Sequence, residues 1–549
     1  MANPDDDTSD DDDVGLLDVD ERVDEVVLDQ GDGDDPGAYA AGTFRKIVSG
    51  MITLGLLVMA SYLVPALDFA RPWVRGKDPV LFWNLVGREL LGEGELLEQV
   101  AEQHDEVERL AAAVVKQNEP QDVPAVEDAP VIEPPTTGDG LPPYEPHPDD
   151  EQEVPRSLEL PSPTTLDSFY ARLARTDARY AGAITRVAHW GDSVVANDNI
   201  SSALRFAMQR RFGDAGHGFH LAAKPNASYR HRGVRFAGGE GWDICYIINR
   251  CRGDGRYGLG GTIASAYGGA ELRFRTEDKL PFGRKASRLE LWVRGTPKTG
   301  RLRVKVDKQP PVIIKTAERE AIDTWHTLEL GSDGPHDIKL RVGSGGPVRI
   351  YGVVLERDVP GVVWDGMEQL GAFADRMLNF DPEHLRRQID HRDPGLLVFS
   401  FGGNDLTLAE GKLDRYERDF GEVLRRFRGT NEPVACLVMA PVDHGQREGP
   451  RIVSRPMVSR IVEIQRRVAR AEGCAFFDTV AAMGGDGSAG RWRRSTPPLL
   501  SGDLAHLTMA GQKVLGQMVY LALMEGYREY RDRIDHAESS LRGALDPSD

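Results

Sequence analysis

The sequence contains little cysteine, with four residues in 549: Cys245, Cys251, Cys436 and Cys474. No pair has the C-x-x-C spacing and no histidines stand at metal-ligand spacing, which argues against a structural zinc site. Cys436 and Cys474 lie in apolar, strand-like runs, where cysteine is usually a small buried hydrophobic residue. Cys245 and Cys251 stand close together in a polar segment, so the sequence allows a local disulfide between them if the domain lies in an oxidising compartment.

Two segments almost lack basic residues. Residues 1–40 carry sixteen acidic residues and one arginine, and residues 117–160 carry twelve acidic residues and one arginine. Neither segment has the apolar periodicity that would repay the entropy cost of ordering, and the second is rich in proline. We interpret residues 1–45 as an acidic disordered tail and residues 118–164 as an extended linker. The rest of the chain after these segments is mildly basic, because residues 161–549 carry a net charge of +8.

One apolar run stands out, "IVSGMITLGLLVMASYLVPAL". It has about twenty residues without a charge, which is the length that spans a bilayer as a helix. A secretory signal peptide fits less well, because the preceding region is long and acidic and no small-residue cleavage pattern follows. We predict a transmembrane helix over residues 46–68 and a juxtamembrane helical segment over residues 69–117. Basic residues flank both ends of the run, so its orientation must come from function.

From residue 161 onward, short apolar strands alternate with helical segments. This pattern predicts an α/β fold, a three-layer α/β/α sandwich with a parallel sheet. Between its two parts, runs such as "ELRFRT", "RLRVKVD" and "VRIYGVVLE" alternate in polarity and are separated by Gly, Pro and Asp. They predict an inserted antiparallel β-sandwich. We expect the catalytic domain over residues 165–235 and 356–530, the sandwich over 236–355, and a flexible tail over 531–549.

Three short motifs stand where predicted strands meet loops. Gly-Asp-Ser at 191–193 follows "AITRVAHW", "GGND" at 402–405 follows "LLVFSF", and "SGDLAHLTMAG" precedes the terminal helix. Sites on parallel sheets lie at the carboxyl ends of the strands, so the motifs can meet there. Asp503 and His506 are three residues apart, which allows the carboxylate to orient the imidazole as a base for a serine hydroxyl. A glycine N–H and an asparagine amide suit the stabilisation of an oxyanion.

In this order the motifs resemble those of the SGNH (GDSL-type) hydrolase superfamily. The resemblance implies that Ser193 is the nucleophile, His506 the base and Asp503 the residue that orients it. The oxyanion hole would consist of the Ser193 backbone N–H, the Asn404 side chain and a glycine from "WDGMEQLGAFADRML". Gly366 and Gly371 both qualify, and Gly371 is preferred because a helix is expected directly behind it. No metal and no organic cofactor is implied.

The layout also resembles bacterial envelope O-acetylesterases and O-acetyltransferases of peptidoglycan and other polysaccharides, in which a β-sandwich interrupts the catalytic domain. "FGDAGHGF" after the first helix is similar to this group as well. The resemblance implies a membrane-anchored serine esterase that removes O-acetyl groups from an envelope polysaccharide such as peptidoglycan. The alternatives are an O-acetyltransferase that uses the same acyl-serine, and a non-catalytic polysaccharide-binding protein.

The expected partners follow from this function. They are the O-acetylated polysaccharide, the membrane through residues 46–68 and, for the transferase, a membrane-bound acyltransferase; no nucleic acid is expected. The inserted sandwich would offer a carbohydrate-binding surface. Because the polymer lies outside the cytoplasm, we expect the N-terminus to be cytoplasmic and the catalytic domain to be periplasmic.

Overall fold

The computed structural model of the protein describes residues 130–135, 140–277, 282–429, 432–449 and 451–545, with side chains described as far as residue 537. The predicted acidic tail (1–45), transmembrane helix (46–68) and juxtamembrane segment (69–117) lie outside these residues. Within the described ranges, no helix combines the length and the apolar character of a membrane span.

The regular elements are numbered in chain order. The helices are α1 Asp167–Asp177, α2 Asn199–Phe212, α3 Pro382–Arg392, α4 Leu413–Arg428, α5 Pro456–Ala471, α6 Thr479–Ala482, α7 Ser488–Arg494 and α8 Met509–Leu545. The strands are β1 Ile184–Gly191, β2 Gly216–His220, β3 Val234–Gly238, β4 Trp242–Tyr246, β5 Thr262–Ala266, β6 Glu271–Thr276, β7 Ala286–Gly295, β8 Arg301–Val306, β9 Val312–Lys315, β10 Ile322–Gly334, β11 Asp337–Val342, β12 Val348–Glu356, β13 Gly361–Glu368, β14 Leu396–Ser400, β15 Ala435–Met439, β16 Gly445–Glu448, β17 Arg451–Ser454 and β18 Ala475–Phe477.

A parallel sheet with the strand order β13-β1-β14-β15-β18 forms the centre of the α/β part. Alternate residues of its strands belong to two separate cores. Val187 and Trp364 pack with α1, α2 and α8 on one face, whereas Trp190 and Phe399 pack with α3, α4 and α5 on the other. Burial on both faces explains why β14, β15 and β18 are short, almost continuous apolar runs. The predicted α/β fold with a parallel sheet is confirmed.

Two antiparallel sheets stand between β1 and β13 in the chain. One has the order β10-β7-β12-β5-β4, with β2 beside β12, and the other has the order β3-β6-β11-β8-β9. Both sheets contribute to one shared apolar core, which includes Leu291 of β7 and Phe274 of β6.

The predicted start of this insertion at residue 236 is too late. Residue 236 lies inside β3, and β2 already pairs with β12. The sequence of β2, "GHGFH", has neither the branched residues nor the alternation of a typical strand. Its strand conformation comes from its pairing with β12, which is remote in sequence.

Residues 140–164 are part of the folded domain, so the prediction of an extended linker is wrong for this stretch. The Asp149 carboxylate accepts a hydrogen bond of 2.6 Å from the Tyr520 hydroxyl of α8. Asp150 forms an ion pair of 2.7 Å with Arg211 of α2, and both side chains are nearly buried. The acidic residues that suggested an extended linker therefore act as charge partners for α2.

The C-terminal residues also differ from the prediction of a flexible tail at 531–549. Helix α8 continues to Leu545. Arg531 is 2% exposed and donates a hydrogen bond of 2.5 Å to the Pro142 carbonyl. The helix extends past residue 530 because residues 140–150 provide a surface on which it packs.

The four cysteines form two disulfides, Cys245–Cys251 and Cys436–Cys474. The first is the local pairing that the sequence left open. The second corrects the prediction that Cys436 and Cys474 are only buried hydrophobic residues. Cys436 lies on β15 and Cys474 directly precedes β18, which is the neighbouring parallel strand.

A buried charge cluster joins the sandwich to the α/β part. Glu356, the last residue of β12, is 1% exposed and accepts hydrogen bonds from Arg186 of β1 at 2.8 Å, Arg392 of α3 at 2.6 Å and Arg288 of β7 at 2.6 Å. Arg392 also donates to Asp365 of β13 at 2.6 and 2.9 Å. Burial alone would raise the pKa of Glu356, but the guanidinium groups of Arg392 and Arg186 hold that pKa well below its usual range.

We expect Glu356→Gln to destabilise the protein strongly, because it leaves buried guanidinium groups without their shared counter-charge. The free energy of unfolding should fall by about 3–5 kcal/mol. The matched control is Glu410→Gln, which breaks the exposed pair with Arg460 and should cost less than about 1 kcal/mol. Denaturant unfolding at neutral pH measures both, and equal effects of the two variants would contradict a joining role for the cluster.

Candidate active site

Ser193 stands just beyond the carboxyl end of β1, which lies between β13 and β14 in the parallel sheet. Gly191 ends the strand, and a Cβ at this position would lie 2.5 Å from Val195 and 2.6 Å from the Ser400 carbonyl oxygen. The chain therefore needs glycine here to pass β14 closely. The Asp192 N–H then donates a hydrogen bond of 3.1 Å to the Ser400 carbonyl.

The Asp192 carboxylate connects two loops of the site. It accepts hydrogen bonds from the Val194 N–H at 3.2 Å and from the Gly403 N–H at 2.9 Å. Asp192 is 3% exposed, and its burial raises its pKa to about 6. The second motif, "GGND", is thereby fixed beside the first.

The loop behind Ser193 holds two consecutive left-handed residues, Asn197 at φ 59° and Asp198 at φ 54°. Such conformations cost energy for residues other than glycine and persist only where the surroundings enforce them. Arg205 donates two hydrogen bonds of 2.9 Å to the Asp198 carboxylate, and the Asn197 N–H donates to Glu368 at 3.0 Å. The loop is therefore held from α2 and from β13.

Ser193, His506 and Asp503 form a continuous hydrogen-bonded line. The Ser193 Oγ lies 3.0 Å from His506 Nε2, and His506 Nδ1 lies 2.7 Å from Asp503 Oδ2. Because Nδ1–H donates to the carboxylate, Nε2 carries the lone pair that accepts the Ser193 proton. The structure thus brings together the three residues that the first and third motifs predicted.

The loop from Ser501 to Leu507 sets the direction of the imidazole. The Asp503 carboxylate accepts hydrogen bonds from the Ser501 hydroxyl at 2.5 Å, from the Ala505 N–H at 3.0 Å and from the His506 N–H at 3.1 Å. These donors, together with His506, hold the pKa of Asp503 well below its usual range, although burial alone would raise it. Leu504 adopts φ 62° with its side chain buried in the core, so it anchors a strained turn.

Asn404 and Gly371, the predicted oxyanion donors, lie in neighbouring loops. The Asn404 Nδ2 donates a hydrogen bond of 3.0 Å to the Ala372 carbonyl, next to Gly371. Gly371 has φ 80° in an exposed turn beyond the end of β13. Gly366 instead lies within strand β13, where it pairs with His189 of β1, so of the two glycines Gly371 is the one in a loop. The described contacts do not connect either predicted donor directly with Ser193.

An open cleft of about 370 Å³, including solvent, adjoins Ser193 and His506. Small and apolar residues form most of its wall, among them Ala440, Pro441 and Val442. His444, in the loop after β15, also lines this cleft and is 7% exposed. Its Nδ1–H donates to the Val442 carbonyl at 2.9 Å, and burial lowers its pKa. A neutral imidazole therefore lines the same cleft as Ser193.

Comparison with known proteins agrees with this geometry. A family model described as "GDSL-like Lipase/Acylhydrolase family" matches residues 352–514. The chain carries a GDSL-like acylhydrolase domain. The resemblance drawn from the three motifs is confirmed. The match contains Asn404, Asp503 and His506, whereas Ser193 precedes it because the sandwich separates β1 from β13 in the chain. No curated protein sequence matches the chain.

Several solved structures are similar to part of this chain. A peptidoglycan O-acetylesterase has a TM-score of 0.57 and 20% identity over 68% of this chain and 99% of that chain, which shows a shared fold. A family two carbohydrate esterase from Cellvibrio japonicus (14% identity, 44% of this chain, 87% of that chain) and TmCBM61 with β-1,4-galactotriose (16% identity, 23% and 88%) each have a TM-score of 0.17. These two scores are too low to support an inference.

A second buried carboxyl group stands behind the GDSL-like site. Burial, and then the charge of Asp192, raise the pKa of Asp405 to about 8. Both Asp405 oxygens lie 3.4 Å from the Ala374 N–H. Asp405 thus favours its protonated form in the folded protein at neutral pH.

This raised pKa predicts a pH dependence of stability. The folded state binds the Asp405 proton more tightly than the unfolded state does, so its contribution is complete below about pH 4 and is lost as the pH rises through about 8. Between these values, the unfolding free energy of the wild type should fall more steeply than that of Asp405→Asn. Asp414→Asn at the exposed start of α4 is the control and should follow the wild type. Parallel curves for all three proteins in denaturant unfolding would refute the assignment.

Proposed function

We propose that the chain is a membrane-anchored serine esterase that removes O-acetyl groups from a cell-envelope polysaccharide such as peptidoglycan. The observation that carries this proposal is the line from Ser193 through His506 to Asp503 at the carboxyl end of β1. It lies in a GDSL-like acylhydrolase domain. The peptidoglycan O-acetylesterase of similar fold supports the choice of an acetylated polysaccharide as substrate.

The reaction begins with attack of the Ser193 Oγ on the ester carbonyl carbon. His506 Nε2 accepts the serine proton and returns it to the leaving sugar oxygen, while Asp503 stabilises the imidazolium that forms in between. The same imidazole then takes a proton from water, which attacks the acetyl-serine, and returns this proton to the Ser193 Oγ as acetate is released. His506 is about half exposed, so water can reach the acyl group.

The oxyanion of each tetrahedral intermediate needs preorganised donors. The backbone N–H groups of Ser193 and Gly371 and the amide of Asn404 fill this role in the proposal. An asparagine amide has two N–H bonds, and Asn404 uses one of them to contact the Ala372 carbonyl. This contact orients the amide and leaves its second N–H for the oxyanion.

We expect Ser193→Ala to abolish release of free acetate from O-acetylated peptidoglycan, with a loss of several orders of magnitude. Ser162→Ala, at an exposed position, is the control and should retain full activity. Acetate release is measured directly on the full chain. Retained activity in Ser193→Ala would refute the mechanism.

The same experiment separates hydrolysis from transfer. A transferase would form the same acetyl-Ser193 and pass the acetyl group to a sugar hydroxyl, after receiving it from a membrane-bound acyltransferase. In that case free acetate would stay at background, and an activated acetyl ester with glycan oligomers would yield acetylated sugar. If neither reaction depends on Ser193, a non-catalytic polysaccharide-binding role replaces both.

The proposed location is extracytoplasmic, with residues 46–68 as the anchor and the N-terminus in the cytoplasm. The two disulfides support this, because such bonds persist in oxidising compartments and are rare in the cytosol. The substrate polymer also lies outside the membrane.

A reporter enzyme that is active only in an oxidising compartment should therefore be active when it is fused after Asp549. The same reporter fused after residue 45 should be inactive, because that position precedes the anchor. The enzymatic activity of the two fusions in whole cells is the measurement. An inactive but expressed C-terminal fusion would place the GDSL-like domain in the cytoplasm and contradict the proposal.

A further inference from the structure

The outer face of the sheet β3-β6-β11-β8-β9 is strongly basic. Most even-numbered residues of these strands, such as Leu272, Phe274 and Leu340, are buried in the sandwich core, so the odd-numbered residues point away from it. Of these thirteen outward positions, nine are arginine or lysine and two are acidic. We call this set of odd-numbered positions the basic face.

The basic face holds almost all of the positive excess of the folded part. Its nine basic and two acidic residues give a net +7, whereas residues 161–549 together carry +8. All other residues of this part together have a net charge of only +1. A positive charge that is concentrated on one sheet face attracts anionic partners to that face.

The two acidic residues neutralise only one side of the basic face. Asp337 pairs with Arg273, and Glu271 pairs with Lys339 and Arg341. On β8 and β9, Arg301, Arg303, Lys305 and Lys315 are exposed, and the described residues include no acidic partner for them. The basic side chains of β8 and β9 are therefore accessible to an anionic ligand.

Like charges stand directly opposite each other across the strands of this face, which costs stability. The register places Arg301 opposite Lys315, Arg303 opposite Arg341 and Lys305 opposite Lys339. The fold gains nothing from these pairs. An anionic ligand would offset the repulsion, because each carboxylate can be shared by neighbouring cations.

We propose that the basic face binds an anionic glycan chain that carries carboxylate groups. Outward side chains recur about 6.6–6.8 Å apart along a strand and about 4.8 Å apart across strands, which forms rows of cations suited to a polymer with repeating charges. The choice of a glycan, and only this choice, rests on the proposed polysaccharide substrate.

Other anionic partners fit the basic face less well. None of its thirteen positions is aromatic, so the stacking on which single-stranded nucleic acid binding depends is missing. Ile313 is its one large apolar side chain, which offers little to insert into a membrane.

The test compares binding of the full chain to polygalacturonate, a linear glycan with one carboxylate per sugar, and to neutral dextran. The triple variant Arg301→Glu, Arg303→Glu, Lys305→Glu should bind polygalacturonate at least about tenfold more weakly than the wild type. The control variant Arg415→Glu, Arg418→Glu, Arg460→Glu changes the net charge equally on the exposed surface of α4 and α5 and should bind like the wild type. Binding should weaken as salt is added.

Folding of the triple variant can be checked independently. It turns the like-charge pairs of Arg303 and Lys305 with β11 into opposite-charge pairs, so its thermal stability should equal or exceed that of the wild type. Ser193→Ala should bind polygalacturonate normally, which separates this proposal from the esterase mechanism.

Three outcomes would overturn the proposal. In the first, the triple variant binds as tightly as the wild type, and in the second, the control variant loses as much affinity as the triple variant. In the third, phosphatidylglycerol vesicles bind more tightly than polygalacturonate through the same residues, and the face is then a membrane-docking surface.

Discussion

The buried charge cluster around Glu356 is the constraint on which the two halves of the molecule depend. One carboxylate from the last strand of the sandwich meets guanidinium groups from β1, β7 and α3. Arg392 in turn reaches Asp365 on β13, so charge pairing runs from one sheet to the other. Because an unpaired charge in such an interior is very costly, the elements can pack in few other ways. The position of the sandwich relative to the parallel sheet follows from this cluster.

The three residues of the hydrogen-bonded line in the candidate site are held by different numbers of contacts. Ser193 stands on a loop fixed by the buried Asp192 carboxylate and by the pairing of Asp198 with Arg205. Asp503 and His506 are each about half exposed and belong to a short loop that ends directly before α8. Preorganisation is therefore strongest around Ser193. His506 is aligned by local hydrogen bonds within its own loop.

The sequence was sufficient to find the three residues of the hydrogen-bonded line, because Ser193 lies in a short motif at the end of an apolar strand, and Asp503 and His506 lie in one directly before the terminal helix. Strands with clear alternation were also predictable, and β6 and β12 match the predicted runs residue for residue. Strand β2 was not predictable from the sequence, since its glycines and histidines gain a strand conformation only beside β12. Cys436 and Cys474 are 38 residues apart, and only the order of the parallel strands brings them together.

The segment that leads into the domain also covers the edge strand of the parallel sheet, through Glu159. Its backbone exchanges two hydrogen bonds of 2.9 Å with Phe476 on β18, the edge strand of the parallel sheet. A chain shortened to begin after this residue would leave that backbone edge open, and an open edge is a template for aggregation. The acidic segment therefore protects the exposed backbone of the edge strand β18 from pairing with another chain.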